Sequence, residues 1–531
     1  MLNTARATHA IAVAPHHLAA QSALAVMRDG GNAIEAMVAA AATIAVVYPH
    51  MNGIGGDSFW VIVPPVGEPI AIDACGQAAL AATIEAYRSR GLSAIPIRGP
   101  LAANTVAGTI GGWNAALEVA AELGGTLPLA RLLRDAIGYA QDGVPVTLSQ
   151  QNATASKLPE LAAQPGFTDT FLIDGALPLA GQRFVQARMA RTLGMLVRDG
   201  LDSFYRGTLA TEIAADLAAV GTLLGAADLA ACRAQRKTPL RLAHSAGTVY
   251  NMTPPTQGAV SLAILGLLDR AGLAQVEADS ADHVHLVVEA TKRAFGLRDQ
   301  FITDPADMTV DPQSLLAPER LDALAATISL DKAAPWGNGK GPGDTIWMGT
   351  IDESGLAVSF IQSIYHEFGS GVVLPNTGIN WQNRGASFSL DGDKLLALKP
   401  GKKPFHTLNP AAARLNDGRT MVYGTMGGDG QPQTQAAVFT RHVVFGQPLQ
   451  TAVTAPRWLL GRTWGQSTDT LKIEQRFPQA VIDALAARGH DVEVLLPFDE
   501  TMGHAGALVR HPDGMLEGAS DPRSDGGVAG Y

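Results

Sequence analysis

The stretch Gly341-Pro342-Gly343-Asp344-Thr345-Ile346-Trp347-Met348-Gly349-Thr350-Ile351-Asp352 holds the residues best placed to do chemistry. A Gly/Pro segment runs into Asp344-Thr345 and then into an apolar run that reads as a strand. Asp352-Glu353-Ser354-Gly355 reads as a turn, and Leu356 to Ile364 as the returning strand. A threonine at the mouth of such a strand pair suits one chemistry. The chain cuts itself before Thr345, and the freed α-amino group then serves as base for the adjacent hydroxyl. A threonine that merely opens a strand looks the same locally, so the rest of the chain has to decide.

Two other glycine-rich loops bear on the question. Gly424-Thr425-Met426-Gly427-Gly428-Asp429-Gly430 can present backbone N–H groups unobstructed, as an oxyanion hole requires, although a plain tight turn has the same composition. Gly53-Ile54-Gly55-Gly56 fits neither nucleotide-binding spacing and reads as a tight crossing into the strand Phe59–Val63. His50 reads as structural, and His283 and His285 as capping and packing residues, because side chains two apart on a helix face different ways. No His, Cys or carboxylate cluster has metal-ligand spacing, so no metal and no cofactor are expected.

The elements that would position these residues fall into two styles. Ile11–Ala14 reads as a strand, and His16–Asp29 and Ala33–Val47 as helices, with Gly30-Gly31-Asn32 as cap and turn between them. Residues 80 to 250 read as mostly helical, including Arg131–Asp142, Phe184–Arg198 and Thr208–Val220. Ala259–Ala271 and a segment from Asp282 carrying Glu289, Lys292 and Arg293 read as helices. Residues 303–344 look like an exposed, cleavable linker. Beyond Thr345 the pattern turns to β: Met421–Tyr423, Val438–Val444, Leu471–Glu474, Val492–Leu496 and Ala507–Val509.

The chain has 531 residues, 47% of them hydrophobic and 17% charged, which is a globular composition with ample core. A net charge of −10 without a basic block argues against nucleic acid and anionic membrane partners. Cys75 and Cys232 make no disulfide framework. The start of the sequence does not read as a signal peptide, and Ala36–Val47 is too short for a membrane span, so the expected compartment is the cytoplasm.

Several ordered motifs together make a specific signal. They are Gly30-Gly31-Asn32-Ala33-Ile34-Glu35-Ala36, Pro49-His50, Gly53-Ile54-Gly55-Gly56, Pro254-Pro255, the helix His283–Arg298, Phe368-Gly369-Ser370-Gly371, Ala455-Pro456-Arg457-Trp458 and Gly518-Ala519-Ser520-Asp521-Pro522-Arg523. Over nearly its whole length the chain resembles the γ-glutamyltransferase family of self-processing N-terminal-nucleophile enzymes. The resemblance implies an α/β, four-layer αββα sandwich with two mainly antiparallel sheets. It implies cleavage at Asp344–Thr345, giving a large fragment (1–344) and a small one (345–531) that stay intertwined as one domain. Thr345 matches the nucleophile, Ser363 the hydroxyl residue that assists it, and Gly427 and Gly428 the oxyanion-hole glycines.

The departures from the family pattern concern the substrate. The family's carboxylate-binding Arg has no counterpart in Asp73-Ala74-Cys75-Gly76-Gln77-Ala78-Ala79. Its amine-binding acid is Ser387, its paired serines are His406-Thr407, and a substrate-holding Asn is Tyr365. Ile346 replaces a second Thr, and the segment from Ser389 to Pro404 is too short for the lid of some members. A ligand ammonium would lack its counter-charge, whereas Arg384 and His406 favour a carboxylate. The expected substrate is therefore a small acidic amide without an α-amino group, as in the oxamate-hydrolysing branch of the family. The alternatives are a γ-glutamyltransferase or glutathione hydrolase, a cephalosporin-acylase-like amidase, and an unprocessed binding protein. The expected partners are a small-molecule amide and the two fragments of the same chain. A homodimer of the processed pair is compatible with the sequence.

Overall fold

In the computed structural model, residues 3–337, 344–461 and 468–531 are described, Asp344 by its backbone alone. The Gly341-Pro342-Gly343 entry to the cleavage site lies outside these residues. Two seven-stranded sheets form the middle of the molecule. One runs Gly527–Gly530, Ile11–Ala14, Asp344–Ile351, Ala357–Tyr365, Asp57–Val63, Ile70–Ala74, Gln235–Lys237. The other runs Ala5–Ala7, Leu516–Ser520, Gly506–Arg510, Thr420–Gly424, Ala411–Leu415, Gly247–Asn251, Leu240–His244. Neighbouring strands in both are antiparallel. Strands from before and after Thr345 share each sheet.

The period of two along a strand explains the layering. On Asp344–Ile351, Ile346 and Met348 face the core under the helices His17–Arg28 and Ala33–Val47. Trp347 and Ile351 face the gap between the sheets, where they meet Val13, Phe59, Val422 and Leu508. The outer face of the second sheet packs on Gly258–Arg270, Ala281–Phe301 and Gly430–Phe439. Four layers, αββα, result. No helix among the described residues is long and apolar enough to cross a membrane.

Asn32 caps a helix as well as closing a turn. Its side chain accepts from Ile34 and Glu35 N–H while Glu35 accepts from Asn32 N–H, a capping box. The same helix start holds the nucleophile strand: Ala33 N–H donates to Asp352 Oδ2 (2.8 Å), and Thr350 Oγ1 donates to Ala33 O (2.8 Å).

Two expectations fail. Val438–Val444 is not a strand: the helix Gly430–Phe439 continues into a π-helical turn over Thr440–Val444. Every residue of that helix is buried, so it has no polar face and leaves no helical period to read. Nor is 303–344 simply exposed. Leu315, Leu316 and Leu321 are buried, Pro318–Ala325 is helical, and Lys292 Nζ donates to Ala334 O (2.6 Å). The helix expected over Phe184–Arg198 starts at Ala187, after the short strand Arg183–Phe184. Residues 235–251 are strands that close the helical region.

Candidate active site

Thr345 lies on the uncut chain, second residue of Asp344–Ile351, and is 0% exposed. Asp344 pairs with Tyr365 and Ile346 with Gln362, so Ser363 and Ile364 together oppose Thr345 in a bulge. The bulge thus sets Ser363 across from the nucleophile position. Ser363 Oγ accepts from Tyr365 N–H (2.8 Å), and on its other side Ser363 pairs with Asp57. Gly56 explains the close approach here, since a Cβ on it would stand 2.0 Å from Ser363 O. That glycine run is the tight crossing expected from the sequence.

The Gly427-Gly428 loop meets Thr345 through the helix that follows it: Gln431 Nε2 stands 3.4 Å from Thr345 Oγ1. Gly427 and Gly428 have φ of +112° and +52°, conformations that suit glycine. Gln257 ties this loop to the next, its Nε2 donating to Gly428 O (3.0 Å) and Thr407 O (2.9 Å). Asp429 is anchored from behind by the buried Arg298 at 2.9 Å.

The opposite wall is built on charge. Arg384 is 1% exposed, and its guanidinium lies 3.8 Å over the Tyr365 ring, whose backbone is held at φ +83°. None of its three nitrogens has a hydrogen-bond partner among the described residues. Burial lowers the Arg384 pKa, with Tyr365, Asp57 and Cys75 opposing. Asp57 is wholly buried at the head of the strand Asp57–Val63; its Oδ1 accepts from Gly76 N–H (3.0 Å) and Gly108 N–H (2.9 Å). Its Oδ2 is 3.0 Å from His406 Nε2, near enough for an ion pair but short of hydrogen-bond alignment. Burial pushes the Asp57 carboxyl up to about 7, against the Gly76 and Gly108 N–H groups. Burial, then Arg384, pushes His406 well below the usual imidazole range.

The expected site residues therefore gather, with one exception. Thr345, Ser363, Tyr365, Arg384, His406, Thr407, Gly427 and Gly428 form a continuous chain of contacts through Asp57, Gln257 and Gln431. Ser387 shares the short helical turn of Arg384, and its buried Oγ has no partner among the described residues. Sequence reading missed the three connecting residues. An acid heading the wholly apolar run Phe59–Val63 was a visible sign for Asp57. Gln257, at a loop end, and Gln431, in the first turn of a buried helix, gave none.

Ligand spacing in the sequence also understated the donor sets. Asp57, Cys75 and His406 bring ligand atoms within 4.8 Å of one another, as do His285, Glu289 and His490. In the first set Arg384 acts on both Asp57 and Cys75, a cation where a metal would need anions undisturbed. In the second, Glu289 pairs with Lys292 and Arg293, and His285 bridges His490 and Ser329 O. His283 is likewise spent, on Asp279 N–H and Thr440, and His50 meets Ser149. Both cysteines are free and buried.

Comparison with known proteins gives this geometry its context. Residues 19–531 match the family model Gamma-glutamyltranspeptidase. The chain is 66% identical to an oxamate amidohydrolase proenzyme of Klebsiella pneumoniae, over 99% of both chains. It is 30% identical to the glutathione hydrolase proenzyme of Escherichia coli, over 97% of this chain and 90% of that one. The solved cephalosporin acylase of Bacillus halodurans superposes with a TM-score of 0.91 at 34% identity, over 100% of this chain and 97% of that one. The chain belongs to the gamma-glutamyltranspeptidase family and is a self-processing N-terminal-nucleophile amidohydrolase related to oxamate amidohydrolase.

Proposed function

We propose that the protein hydrolyses the amide of a small carboxylate-bearing substrate such as oxamate, with Thr345 as nucleophile. The observation that carries this reading is the buried Arg384, whose three nitrogens have no hydrogen-bond partner among the described residues. A buried cation without a counter-charge is costly unless a ligand supplies one. A carboxylate fits the planar fork in a bidentate way. The 66% identical oxamate amidohydrolase proenzyme supports the same substrate. Ser387 offers an ammonium no charge, which speaks against a γ-glutamyl group.

The route has two stages. Thr345 Oγ1 attacks the Asp344 carbonyl, the acyl group moves from N to O and so frees the Thr345 amine, and water hydrolyses the ester to release the Thr345 hydroxyl and the Asp344 carboxylate. In turnover that amine takes the proton as Oγ1 attacks the substrate amide. Gly427 and Gly428 N–H groups hold the oxyanion, and Ser363 assists the nucleophile. Ammonia leaves, and water releases the diacid from the acyl-enzyme. Tyr365 holds the Arg384 plane, while His406 and Thr407 line the carboxylate end.

Two measurements test the reading. Thr345→Ala should remain one chain by intact mass; two fragments from that variant would remove Thr345 from the self-cleavage. Processed enzyme should release ammonia from oxamate far faster than p-nitroaniline from a γ-glutamyl anilide. The reverse preference would restore the γ-glutamyl reading.

A further inference from the structure

We propose that Asp57 is a positioning residue for substrate recognition: it and His406 share one proton, and only with that proton present does the imidazole turn an N–H toward the substrate carboxylate. The inference rests on the carboxylate-binding role proposed for Arg384 and His406.

The geometry leaves Asp57 little freedom. Gly76 and Gly108 N–H groups fix Oδ1, which aims Oδ2 at His406 Nε2, 3.0 Å away. The ring is fixed as well. The His406 backbone N–H donates to Pro255 O (2.9 Å) and the Gln257 backbone N–H to His406 O (3.0 Å), which hold the main chain beneath the ring, and Phe59 packs edge-on against the ring itself at 4.9 Å. One ring nitrogen thus faces a carboxyl, and the other, Nδ1, is buried with no partner among the described residues.

Counting protons gives the consequence. A neutral imidazole has one donor and one acceptor nitrogen, and the hydrogen bond at one decides the other. With one shared proton, the pair is a carboxylic acid donating to Nε2 or an imidazolium beside a carboxylate. Both arrangements place a hydrogen on Nδ1. Without it, Nε2–H points at the carboxylate and Nδ1 carries a lone pair, which repels an anion. Binding an anionic substrate then requires taking up a proton.

The surroundings set where the proton is lost. Arg384 acts on both groups from its turn, and Asp73 and Lys403 act on His406. Cys75, beyond the strand Ile70–Ala74, and Tyr205 and Cys232, from the helical layer, feel Asp57. Asp73 is itself bound by Lys237 (2.8 Å) and Lys403 (2.7 Å). Burial and the nearby cations disfavour an imidazolium, so the acid–imidazole form dominates, and burial raises the Asp57 carboxyl that holds the proton to about 7.

The test is the pH dependence of KM and kcat for oxamate between about pH 5.5 and 8.5 on self-processed enzyme. Wild type should show a KM that is flat in acid and rises about tenfold per unit above the pair's pKa, from the one-proton requirement. Asp57→Asn keeps the acceptor for Gly76 and Gly108, donates to Nε2 and so fixes the hydrogen on Nδ1. Its KM should be flat with pH, and a wild-type slope in this variant overturns the proposal. Calorimetry of oxalate binding at pH 8, in buffers of different ionisation enthalpy, should show one proton taken up by wild type and none by His406→Gln. If Asp57→Asn fails to process, that measurement decides, and no uptake by wild type overturns the proposal. If wild type binds neither oxamate nor oxalate at any pH, the substrate reading falls and this inference with it. Binding without uptake removes the inference alone.

Discussion

Arg384 and Arg523 are both buried arginines, and their surroundings are opposite. Arg523 pairs with Glu474 at 2.6 Å and Asp521 at 3.0 Å, and Asp521 also pairs with Arg457 at 2.5 Å. Arg457 adds Met502, Gly503 and Val453 carbonyls, and Asp521 accepts from Ala505 N–H. In that cluster two arginines face two acids, so its charges are matched from within. Arg384 has an aromatic face and three unspent nitrogens. The difference teaches how to separate structural charge from functional charge in one molecule: a satisfied network holds the fold, and an unsatisfied one waits for a partner.

The comparison can be broken first at its satisfied end. Arg523→Ala leaves Asp521 to Arg457 alone and Glu474 to the half-buried Arg476, and breaking a buried pair typically costs about 3–5 kcal/mol. Chemical denaturation should show that loss, while KM of the remaining folded enzyme stays at the wild-type value. A stable variant with a raised KM would move Arg523 into the site. The unsatisfied end should behave with opposite sign. Arg384→Met removes an unpaired buried charge, so the Tm of substrate-free protein should stay level or rise. A large fall would show that Arg384 is structural.

The acids sharpen the contrast through pH. Burial raises Asp57 to about 7, whereas Arg457 and Arg523 overcome burial to hold Asp521 below the usual carboxylate range. A raised folded value means stability is lost as pH climbs from the unfolded value of about 4 toward 7. The Tm advantage of Asp57→Asn over wild type should therefore grow across that window. A depressed value means the opposite. The deficit of Asp521→Asn should be full at neutral pH and shrink as pH falls below about 4. Parallel pH profiles for the two variants would contradict both assignments.

Legibility in the sequence follows the same division. The nucleophile strand pair was readable because strands buried on both faces leave apolar runs and their turn leaves Asp352-Glu353-Ser354-Gly355. Ala33–Val47 appears with the expected ends, since Gly30-Gly31-Asn32 supplies its boundary. The pocket wall was only partly readable. Arg384, His406 and Tyr365 stood out by position, but their link is Asp57, more than three hundred residues upstream of them. Spacing along the chain cannot show a contact made by sheet register, which here pairs Asp57 with Ser363. Val438–Val444 was misread as a strand for a related reason: the helix Gly430–Phe439 that runs into it is buried on all sides, which erased its period.

The most direct test is the KM of self-processed Arg384→Gln for oxamate, measured beside wild type by ammonia release. A hydrogen bond to a charged group contributes about 1.5–3 kcal/mol, so KM should rise about 10- to 100-fold. The kcat should change little, because the guanidinium holds ground state and transition state alike. An unchanged KM in a fully processed variant would contradict the account.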